Sequence, residues 1–266
     1  MSDLPITVEI HEEGPREGFQ IAGVGIPSRD KIAFIDALSQ TGVKHIQVAS
    51  FVSPKLVPGW ADADEVVGGF APVPGVKYSA LWFNEKGLDR AIVHRDRLSL
   101  EGYIVMSASE AFSRKNLNRD RPSQIEFMRR QTENFLRAEL PVTKLIVLAA
   151  TGCNFMGDVS SALVIQAIED GLAVAAQCGS RISTISLADS MGWATPAKVA
   201  RLVGETRSHW PETTVALHLH DTRGLGIASA YEGLRMGVTQ FDSSVGGLGG
   251  CPFAGQPGAP GNIATE

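Results

Sequence analysis

The chain is poor in the features that mark secreted, membrane-spanning and nucleic-acid-binding proteins. Its 266 residues include only three cysteines, Cys153, Cys178 and Cys251, which form neither a CxxC pair nor a disulfide framework. No apolar run approaches the ~20 residues that a membrane span needs, and the N-terminus lacks the basic and then apolar layout of a signal peptide. The formal net charge is -5, with no Lys/Arg-rich run for nucleic acid. These absences predict a reduced, cytoplasmic protein with no membrane or nucleic-acid partner.

The composition that remains is that of an ordinary globular protein, with 44% hydrophobic and 20% charged residues. A chain of this length can bury a large core within one domain. No linker, internal repeat or low-complexity segment interrupts it. We therefore predict a single domain over residues 1–266.

Short apolar, β-branched runs recur along the whole chain and predict strands. Most are nearly continuous in apolar character, as strands of a parallel sheet covered on both faces should be. Eight such runs are present: Ile6–Ile10, His45–Val52, Val76–Phe83, Ser99–Met106, Lys144–Ala149, Thr184–Leu187, Thr214–Leu219 and Phe241–Val245.

Segments with helical spacing separate the first seven runs from the run that follows each. Ser28 and Thr195 are predicted helix N-caps, Ser123 and Glu126 have the spacing of a capping box, and a further helix is expected from about Ser160 to Gln177. Strict β/α alternation predicts an α/β fold, a (β/α)8 TIM barrel, with a doubly wound open sheet as the alternative.

The eighth outer helix of such a barrel is missing, because the sequence stops at Glu266, soon after the eighth predicted strand. Two explanations stay open at this point: the chain is truncated, or another element such as a partner subunit covers that side. We expect a homo-oligomer, a dimer or larger.

Polar residues lie in the last part of nearly every predicted strand or directly after it. In barrels the active site lies at the C-terminal ends of the strands. One polar residue there would mean little, but polar groups at nearly all strand ends predict a polar pocket. The residues include Gln20, Gln47, Ser50, Ser109, Glu110, Thr151, Asp189, His218 and His220.

The most informative stretch is His218-Leu219-His220-Asp221, at the end of the seventh predicted strand. Side chains at i and i+2 of a strand point to the same face, so the two imidazoles project together. Two imidazoles that converge at a strand end can bind a metal directly. The alternative is a pair of hydrogen-bonded core histidines.

Arg16 and Glu17, after the first predicted strand, extend this metal hypothesis. In a pocket with two histidines a carboxylate is the obvious third ligand, and a guanidinium can stabilise a developing enolate or alkoxide. The alternative is a solvated ion pair between the two. Asp189 follows the sixth strand, where it could act in catalysis or support a neighbouring side chain.

Cys251 follows a glycine-rich segment that would hold it on a mobile loop. A thiol there could donate a proton once the loop closes over substrate. The glycines could instead cradle a phosphate, although they match neither nucleotide-binding fingerprint. Cys153 and Cys178 are expected to be small buried hydrophobic residues.

A set of motifs runs through nearly the whole chain, and the last three are highly specific in combination. They are Gly14-Pro15-Arg16, Gly18, Gln20, Ser50-Phe51-Val52-Ser53-Pro54-Lys55, Ala108-Ser109-Glu110, Asn116, His218-Leu219-His220-Asp221-Thr222, Gly247-Leu248-Gly249-Gly250-Cys251-Pro252 and Gly261-Asn262-Ile263-Ala264-Thr265-Glu266. Together these motifs resemble the 3-hydroxy-3-methylglutaryl-CoA lyase family, metal-dependent barrel enzymes that cleave carbon–carbon bonds.

This resemblance implies metal ligation by Glu17, His218, His220 and Asn262, with Mg2+ or Mn2+ preferred and Zn2+ also compatible with the ligands. It implies a small-molecule substrate, a branched 3-hydroxyacyl-CoA. Retro-Claisen cleavage of that substrate would give an acyl-CoA, such as acetyl-CoA, and a keto acid.

The resemblance also implies a division of roles. Arg16 would stabilise the enolate oxygen, Asp189 would be a nearby polar group, and Cys251 would be the loop acid. In the retro-Claisen mechanism that we expect from these roles, His218, or Asp189 through a water, would act as the base. The residues expected to bind substrate are Gln20, Gln47, Ser50, Lys55, Asn116 and Thr151.

The chain departs from the family pattern at several positions near the expected substrate. The family has Asp at the position of Glu17 and Glu at the position of Gln47, so the second change removes a negative charge close to the metal. These departures favour another acyl substrate than 3-hydroxy-3-methylglutaryl-CoA itself. Two alternatives stay open: a condensing synthase of the citramalate or isopropylmalate type, which Glu17 favours, and a catalytically degenerate binding homologue.

Overall fold

A computed structural model describes residues 4–22, 25–250 and 260–266 of the chain. Cys251, the predicted loop acid, lies outside these described residues.

Eight strands alternate with helices along the described part of the chain. The strands are β1 (Glu9–Glu12), β2 (His45–Ser50), β3 (Lys77–Leu81), β4 (Gly102–Ser107), β5 (Val142–Leu148), β6 (Thr184–Ala188), β7 (Thr214–His218) and β8 (Gln240–Ser243). The helices are α1 (Phe19–Ala22), α2 (Ser28–Ser39), α3 (Ala63–Gly69), α4 (Glu85–Ile92), α5 (Glu110–Phe112), α6 (Arg121–Arg137), α7 (Ser161–Gln177), α8 (Pro196–His209) and α9 (Gly226–Arg235). Short π-helical segments cover Gly14–Gly18 and Ser113–Leu117.

The chain groups into two compact units, which are described separately. The β1–β3 unit contains Glu9–Leu100, Asp242–Gly250 and Ala264–Glu266. The β4–β7 unit contains residues 101–241 together with the described residues of 4–8 and 260–263. The boundary falls within β8, between Phe241 and Asp242.

In the β1–β3 unit, parallel strands pair in sequential order. His11 of β1 is the register partner of His45 in β2, and Gln47 of β2 is the register partner of Ser79 in β3. The end of β8 lies beside the end of β1, where the Glu13 backbone N–H donates to Ser243 O at 2.8 Å.

In the β4–β7 unit, β4, β5, β6 and β7 also pair in parallel and in sequential order. Glycines bring helices close to this sheet: a Cβ on Gly171 of α7 would lie 2.4 Å from Leu145, and one on Gly233 of α9 would lie 2.5 Å from Leu217. A larger residue at either position would require the leucine side chain beneath it, or the helix itself, to shift.

The predicted fold class, a (β/α)8 TIM barrel, is confirmed by eight parallel strands that alternate with helices. In each unit the strand order is sequential, without the reversal that a doubly wound sheet requires. The single domain over residues 1–266 stays a prediction. Among the described helices none is long and apolar enough to cross a membrane, and the longest have 17 residues.

The predicted first strand, Ile6–Ile10, is placed too early. Ile6 is fully exposed, and β1 starts at Glu9. Polar residues occupy three of the four positions of β1, so the apolar pattern that located the other strands is weak in this one.

Two predicted helix starts are also wrong. Pro27, rather than Ser28, is the N-cap of α2, and the Ser28 hydroxyl donates to Asp62 at 2.9 Å. Asp120, rather than Ser123, caps α6, because its carboxylate accepts from the Ser123 backbone N–H at 3.0 Å. A capping box of Ser123 and Glu126 is therefore absent.

Two other helix predictions are confirmed. Thr195 caps α8 and accepts from the Lys198 backbone N–H at 3.3 Å. The helix expected from about Ser160 to Gln177 is α7, Ser161–Gln177.

Glu12 is a buried hub of the β1–β3 unit. Its carboxylate accepts from the backbone N–H of Gly14 at 2.7 Å, from that of Val245 at 3.1 Å, and from the Thr265 hydroxyl. Burial raises the pKa of Glu12, although the hydrogen bonds from Thr265, Val245 and Gly14 oppose the shift. One carboxylate thus joins β1 to the segment after β8 and to residues 264–266.

The Glu12→Gln variant should lower the free energy of unfolding at pH 7 by about 1–3 kcal/mol, because an amide NH2 would face backbone donors. The raised pKa means that the folded protein binds the Glu12 proton more tightly than the unfolded chain does. Ionisation therefore costs stability above the folded pKa, and the cost fades as the pH falls through it toward about 4.3. The difference in unfolding free energy between the wild type and Glu12→Gln should therefore increase as the pH falls from 8 to 5. Urea unfolding of both proteins across this pH range measures it.

A matched control is Glu65→Gln, on the exposed surface of α3, which should change the unfolding free energy by less than about 0.5 kcal/mol at every pH. A wild-type advantage over Glu12→Gln that narrows as the pH falls would contradict the raised pKa.

Candidate active site

Arg16 and Glu17 lie on the π-helical segment Gly14–Gly18, directly after β1. Single π-helical turns occur frequently at functional sites. The buried Trp60 stabilises this turn, because its indole N–H donates to the Arg16 carbonyl at 3.0 Å. Gly18 faces Leu248, so a Cβ there would lie 3.1 Å from that side chain.

Three acceptors surround the Arg16 guanidinium. Its Nη1 lies 2.7 Å from a Glu17 oxygen, its Nη2 donates to Glu13, and its Nε donates to the amide oxygen of Gln47. Burial alone would lower the pKa of Arg16, but the charges of Glu17 and Glu13 outweigh burial and raise the pKa. The guanidinium is therefore held as a cation in a fixed orientation.

The alternative prediction for Arg16 and Glu17, a solvated ion pair, is half right. The pair exists, but the two side chains are only 11% and 12% exposed. A second oxygen of Glu17 accepts from the Gly250 backbone N–H at 3.2 Å, which brings the glycine-rich segment after β8 to this carboxylate.

Glu13 is a functional candidate that the sequence prediction missed. The change of the family's Glu to Gln47 was expected to remove a negative charge from the site. In the β1–β3 unit a carboxylate is nevertheless present, because Glu13 contacts Arg16 with a side chain that is 10% exposed. The available signal was its i, i+3 spacing from Arg16, which brings side chains together on a helical turn.

Three predicted substrate-binding residues of the β1–β3 unit have different surroundings. Ser50, at the end of β2, is fully buried, and its hydroxyl has no hydrogen-bond partner among the described residues. The buried side-chain oxygen of Gln20 also has none among them. Lys55 is exposed in the turn after β2. Ser50 and Gln20 thus offer buried polar atoms that a ligand could use.

The two predicted metal-ligating histidines come together in the β4–β7 unit. His218 is the last residue of β7, and its Nε2 lies 3.1 Å from Nε2 of His220. The rings meet edge to face, with centroids 5.0 Å apart. The i, i+2 spacing therefore gives the convergence that it predicts.

Asn262 joins this pair through the backbone. Residues 220 and 262 form an isolated β-bridge, in which the Ile263 N–H donates to Leu219 O at 3.1 Å and the Asp221 N–H donates to Gly261 O at 2.8 Å. The Asn262 side chain is almost fully buried beside His220. An amide oxygen is a good ligand for Mg2+ or Mn2+.

The spacing of the two nitrogens fits a divalent cation. Two ligands of a tetrahedral ion at 2.0–2.1 Å lie about 3.3 Å apart, and neighbouring ligands of an octahedral ion at the same bond lengths lie about 2.9 Å apart. The observed 3.1 Å between His218 and His220 lies between these values, and it is also the length of a hydrogen bond between the two rings. The distance is therefore compatible with a cation of either geometry and with the alternative prediction, a pair of hydrogen-bonded histidines.

Asp189 is the most deeply buried titratable group near these histidines. It follows β6, and one carboxylate oxygen accepts from the Thr151 hydroxyl and from the Trp193 N–H at 2.6 Å, while the Asp189 backbone N–H donates to His218 O at 2.8 Å. Burial raises the pKa of Asp189, against the lowering effect of its hydrogen bonds, the one from Thr151 first. The second oxygen has no hydrogen-bond partner among the described residues.

The remaining predicted residues have simple positions. The Thr151 side chain is 4% exposed and bound to Asp189, whereas Asn116 is exposed on the second π-helical segment. Cys153 is fully buried, as predicted. Cys178 is only half-buried at the end of α7, so its predicted burial is partly wrong.

Comparisons of the sequence and of the structure with known proteins identify the family of this chain. Residues 7–266 match the HMGL-like family model. The hydroxymethylglutaryl-CoA lyase YngG of Bacillus subtilis is 39% identical over 262 residues, which cover 98% of this chain and 84% of that protein. The crystal structure of the B. subtilis HMG-CoA lyase aligns with a TM-score of 0.87 at 37% identity, over 98% of this chain and 84% of that one.

Two further relatives have informative ligands or names. A 3-hydroxy-3-isohexenylglutaryl-CoA/hydroxy-methylglutaryl-CoA lyase of Pseudomonas aeruginosa is 38% identical and covers 99% of this chain and 84% of its own. An HMG-CoA lyase of A. baumannii, in complex with coenzyme A and 3-methylmalate, aligns with a TM-score of 0.83 at 34% identity, over 97% and 80% of the two chains. The chain therefore belongs to the hydroxymethylglutaryl-CoA lyase family and is a carbon–carbon lyase.

Proposed function

We propose that this lyase cleaves a branched 3-hydroxyacyl-CoA, either 3-hydroxy-3-methylglutaryl-CoA or a related acyl-CoA, with a divalent cation as cofactor. The products are an acyl-CoA such as acetyl-CoA and a keto acid. The observation that carries the proposal is the His218–His220 pair, whose Nε2 atoms lie 3.1 Å apart beside Asn262. Neutral imidazoles held at the distance of neighbouring ligands are what a metal site requires.

The proposed ligands are His218, His220 and Asn262, together with Glu17 as the carboxylate of the set that the family resemblance implies. Two imidazoles with two oxygen ligands suit Mg2+ or Mn2+ and are also compatible with Zn2+. When bound, the cation supplies Lewis acidity that lowers the pKa of a hydroxyl group.

Arg16 is proposed to bind the oxygen on which negative charge develops during cleavage. The electrons of the broken carbon–carbon bond become the enolate of the departing acyl-CoA. A preorganised cation stabilises such a charge without reorganising at the moment of reaction. The contacts of Glu13, Glu17 and Gln47 supply this preorganisation, because they fix three edges of the Arg16 guanidinium.

The proton leaves the substrate hydroxyl before the bond breaks. Asp189, acting through a water, is the proposed base. His218 is less suited to this role, because a neutral imidazole that binds the cation through Nε2 carries its proton on Nδ1 and has no lone pair left to accept another. The raised pKa of Asp189, caused first by burial, makes it a better proton acceptor than an ordinary aspartate. Cys251 is proposed to return a proton to the enolate carbon, so that one proton is removed and one is delivered in each cycle.

The acyl group and its CoA are proposed from two supports. The family resemblance implies an acyl-CoA, and a relative binds coenzyme A with 3-methylmalate. Ser50 and Gln20 contribute buried polar atoms to substrate binding, and Lys55, Asn116, Gln47 and Thr151 complete the proposed set. A homo-oligomer stays a prediction.

Removal of the metal should stop turnover reversibly. Protein stripped with EDTA is expected to release no acetyl-CoA from 3-hydroxy-3-methylglutaryl-CoA until Mg2+ or Mn2+ is added. No turnover from protein that still binds the cation would contradict this substrate and move the search to the isohexenyl analogue. No metal-dependent turnover of either compound would overturn the proposed function.

His220→Ala should lose the Mn2+ that the wild type binds, measured by electron paramagnetic resonance of free Mn2+, because one imidazole of the pair is gone. His209→Ala is the matched control, since His209 is exposed at the end of α8. Unchanged Mn2+ binding by His220→Ala would contradict the ligand set.

Cys251→Ala should reduce kcat by roughly 10²–10⁴-fold, the usual cost of losing a placed acid, while Mn2+ affinity stays as in the wild type. Cys153→Ala, at a buried thiol, is the control for general damage. Full activity of Cys251→Ala would remove the thiol from the mechanism.

Glu13→Gln should lower kcat by something on the order of 10²-fold, because a mobile guanidinium no longer meets the enolate oxygen. The double variant Glu13→Gln/Gln47→Glu returns one carboxylate to Arg16 and should recover most of that loss. Mn2+ affinity and substrate KM should be measured for the wild type and for both variants. If Glu13 had only a structural role, a carboxylate at position 47 would not restore the activity. Equal activity of the single and double variants would contradict the positioning role.

A further inference from the structure

A second group of metal-binding residues lies at the start of β1 and β2, and the proposed mechanism does not use it. Glu9 and His11 are alternate residues of β1, and His11 is the register partner of His45, the first residue of β2. Alternate residues and register partners share a face of a sheet. Each of the three side chains offers a ligand atom within 4.8 Å of the other two.

The two imidazoles are oriented by further groups. Nδ1 of His11 lies 3.4 Å from a carboxylate oxygen of Asp242, and Nε2 of His45 lies 2.8 Å from the Ser79 hydroxyl. Histidines that bind metals usually engage a carboxylate, carbonyl or hydroxyl with the other ring nitrogen, which fixes the ring and its tautomer. This arrangement directs Nε2 of His11 and Nδ1 of His45 to the metal-binding role.

The distance between His11 and Glu9 fits a shared ion. Nε2 of His11 lies 3.1 Å from a Glu9 oxygen, close to the roughly 3.3 Å between two ligands of a tetrahedral ion with bonds of 2.0–2.1 Å. The ring centroids of His11 and His45 are 4.2 Å apart, so both imidazoles border the same small volume.

The donor set selects a class of cation. Two imidazoles and a carboxylate are a known Zn2+ set, and imidazole also suits Co2+ and Ni2+ better than Mg2+ or Ca2+, which prefer oxygen. The charges match, since the carboxylates of Glu9 and Asp242 together balance a divalent ion. The Glu9 side chain is 40% exposed, which gives an ion access from solvent.

We propose that Glu9, His11 and His45 bind a divalent transition-metal ion of the Zn2+ class, with Asp242 and Ser79 as orienting residues. Glu9 and His45 are the first residues of β1 and β2, whereas Arg16 and Glu17 follow the C-terminal end of β1. A metal-free network of ion pairs among the same residues is the opposing explanation.

The test uses full-length protein treated with EDTA, in which His220→Ala has removed the site proposed for catalysis. Zn2+ titrated by calorimetry should bind one equivalent to His220→Ala and none to His220→Ala/His11→Gln/His45→Gln. Co2+ should give the visible absorption of a tetrahedral complex in the first protein and lose it in the second. His220→Ala/His94→Gln is the matched control, because His94 contacts Asp64 and does not belong to the Glu9–His11–His45 group. This variant should still bind one equivalent of Zn2+.

A second measurement guards against a variant that does not fold. In folded His220→Ala protein, Zn2+ should protect His11 and His45, but not His94, from modification by diethyl pyrocarbonate, as mapped by mass spectrometry. No Zn2+ bound to His220→Ala, an unchanged equivalent after loss of both cluster histidines, or equal modification with and without Zn2+ would each overturn the proposal. A failure of the proposed catalytic metal site would give a different result from a failure of this second site. In that case the wild type and His220→Ala would bind equal amounts of Zn2+.

Discussion

The buried Glu12 carboxylate is the constraint on which the β1–β3 unit depends. The Glu12 oxygens accept from the backbone N–H of Gly14, the first residue of the turn that carries Arg16 and Glu17. They also accept from the backbone N–H of Val245, at the start of the segment in which Gly250 donates to Glu17. Burying a carboxylate is costly unless hydrogen bonds satisfy its oxygens. Because that cost is offset at three separate chain segments, the segments cannot shift independently without leaving charge exposed to an apolar interior.

The fold could be predicted from the sequence wherever burial alone determines the residue type. Strands β2 to β8 lie within two or three residues of the predicted runs, since strands covered on both faces have to be apolar. β1 escaped because Glu9, His11 and Glu12 make it polar. The β1 side chains contact residues that are distant in the sequence, such as Val245 and Thr265. A pattern of alternating polar and apolar residues cannot predict such contacts. The predicted caps at Ser28 and Ser123 failed because each helix begins one to three residues earlier than its serine suggests, after Pro27 and after Asp120.

The candidate site likewise contains residues whose proximity the sequence predicts and residues whose proximity depends on tertiary contacts. Strand geometry alone brings His218 and His220 together, so their spacing is sufficient. Asn262 and the Thr151–Asp189 contact depend on tertiary structure, and the sequence offered them only through resemblance or proximity to a strand end. Glu13 was overlooked because the sequence pattern does not show that the chain turns helically straight after β1.

The contacts of Arg16 have a consequence for how relatives of this protein vary. Position 13 and position 47 address different nitrogens of one guanidinium, so a carboxylate at either position leaves the cation with a comparable neighbourhood. We therefore expect positions 13 and 47 to vary together among relatives, with a carboxylate at one position or the other. In this chain Glu13 keeps a negative charge beside the Arg16 guanidinium although residue 47 is Gln.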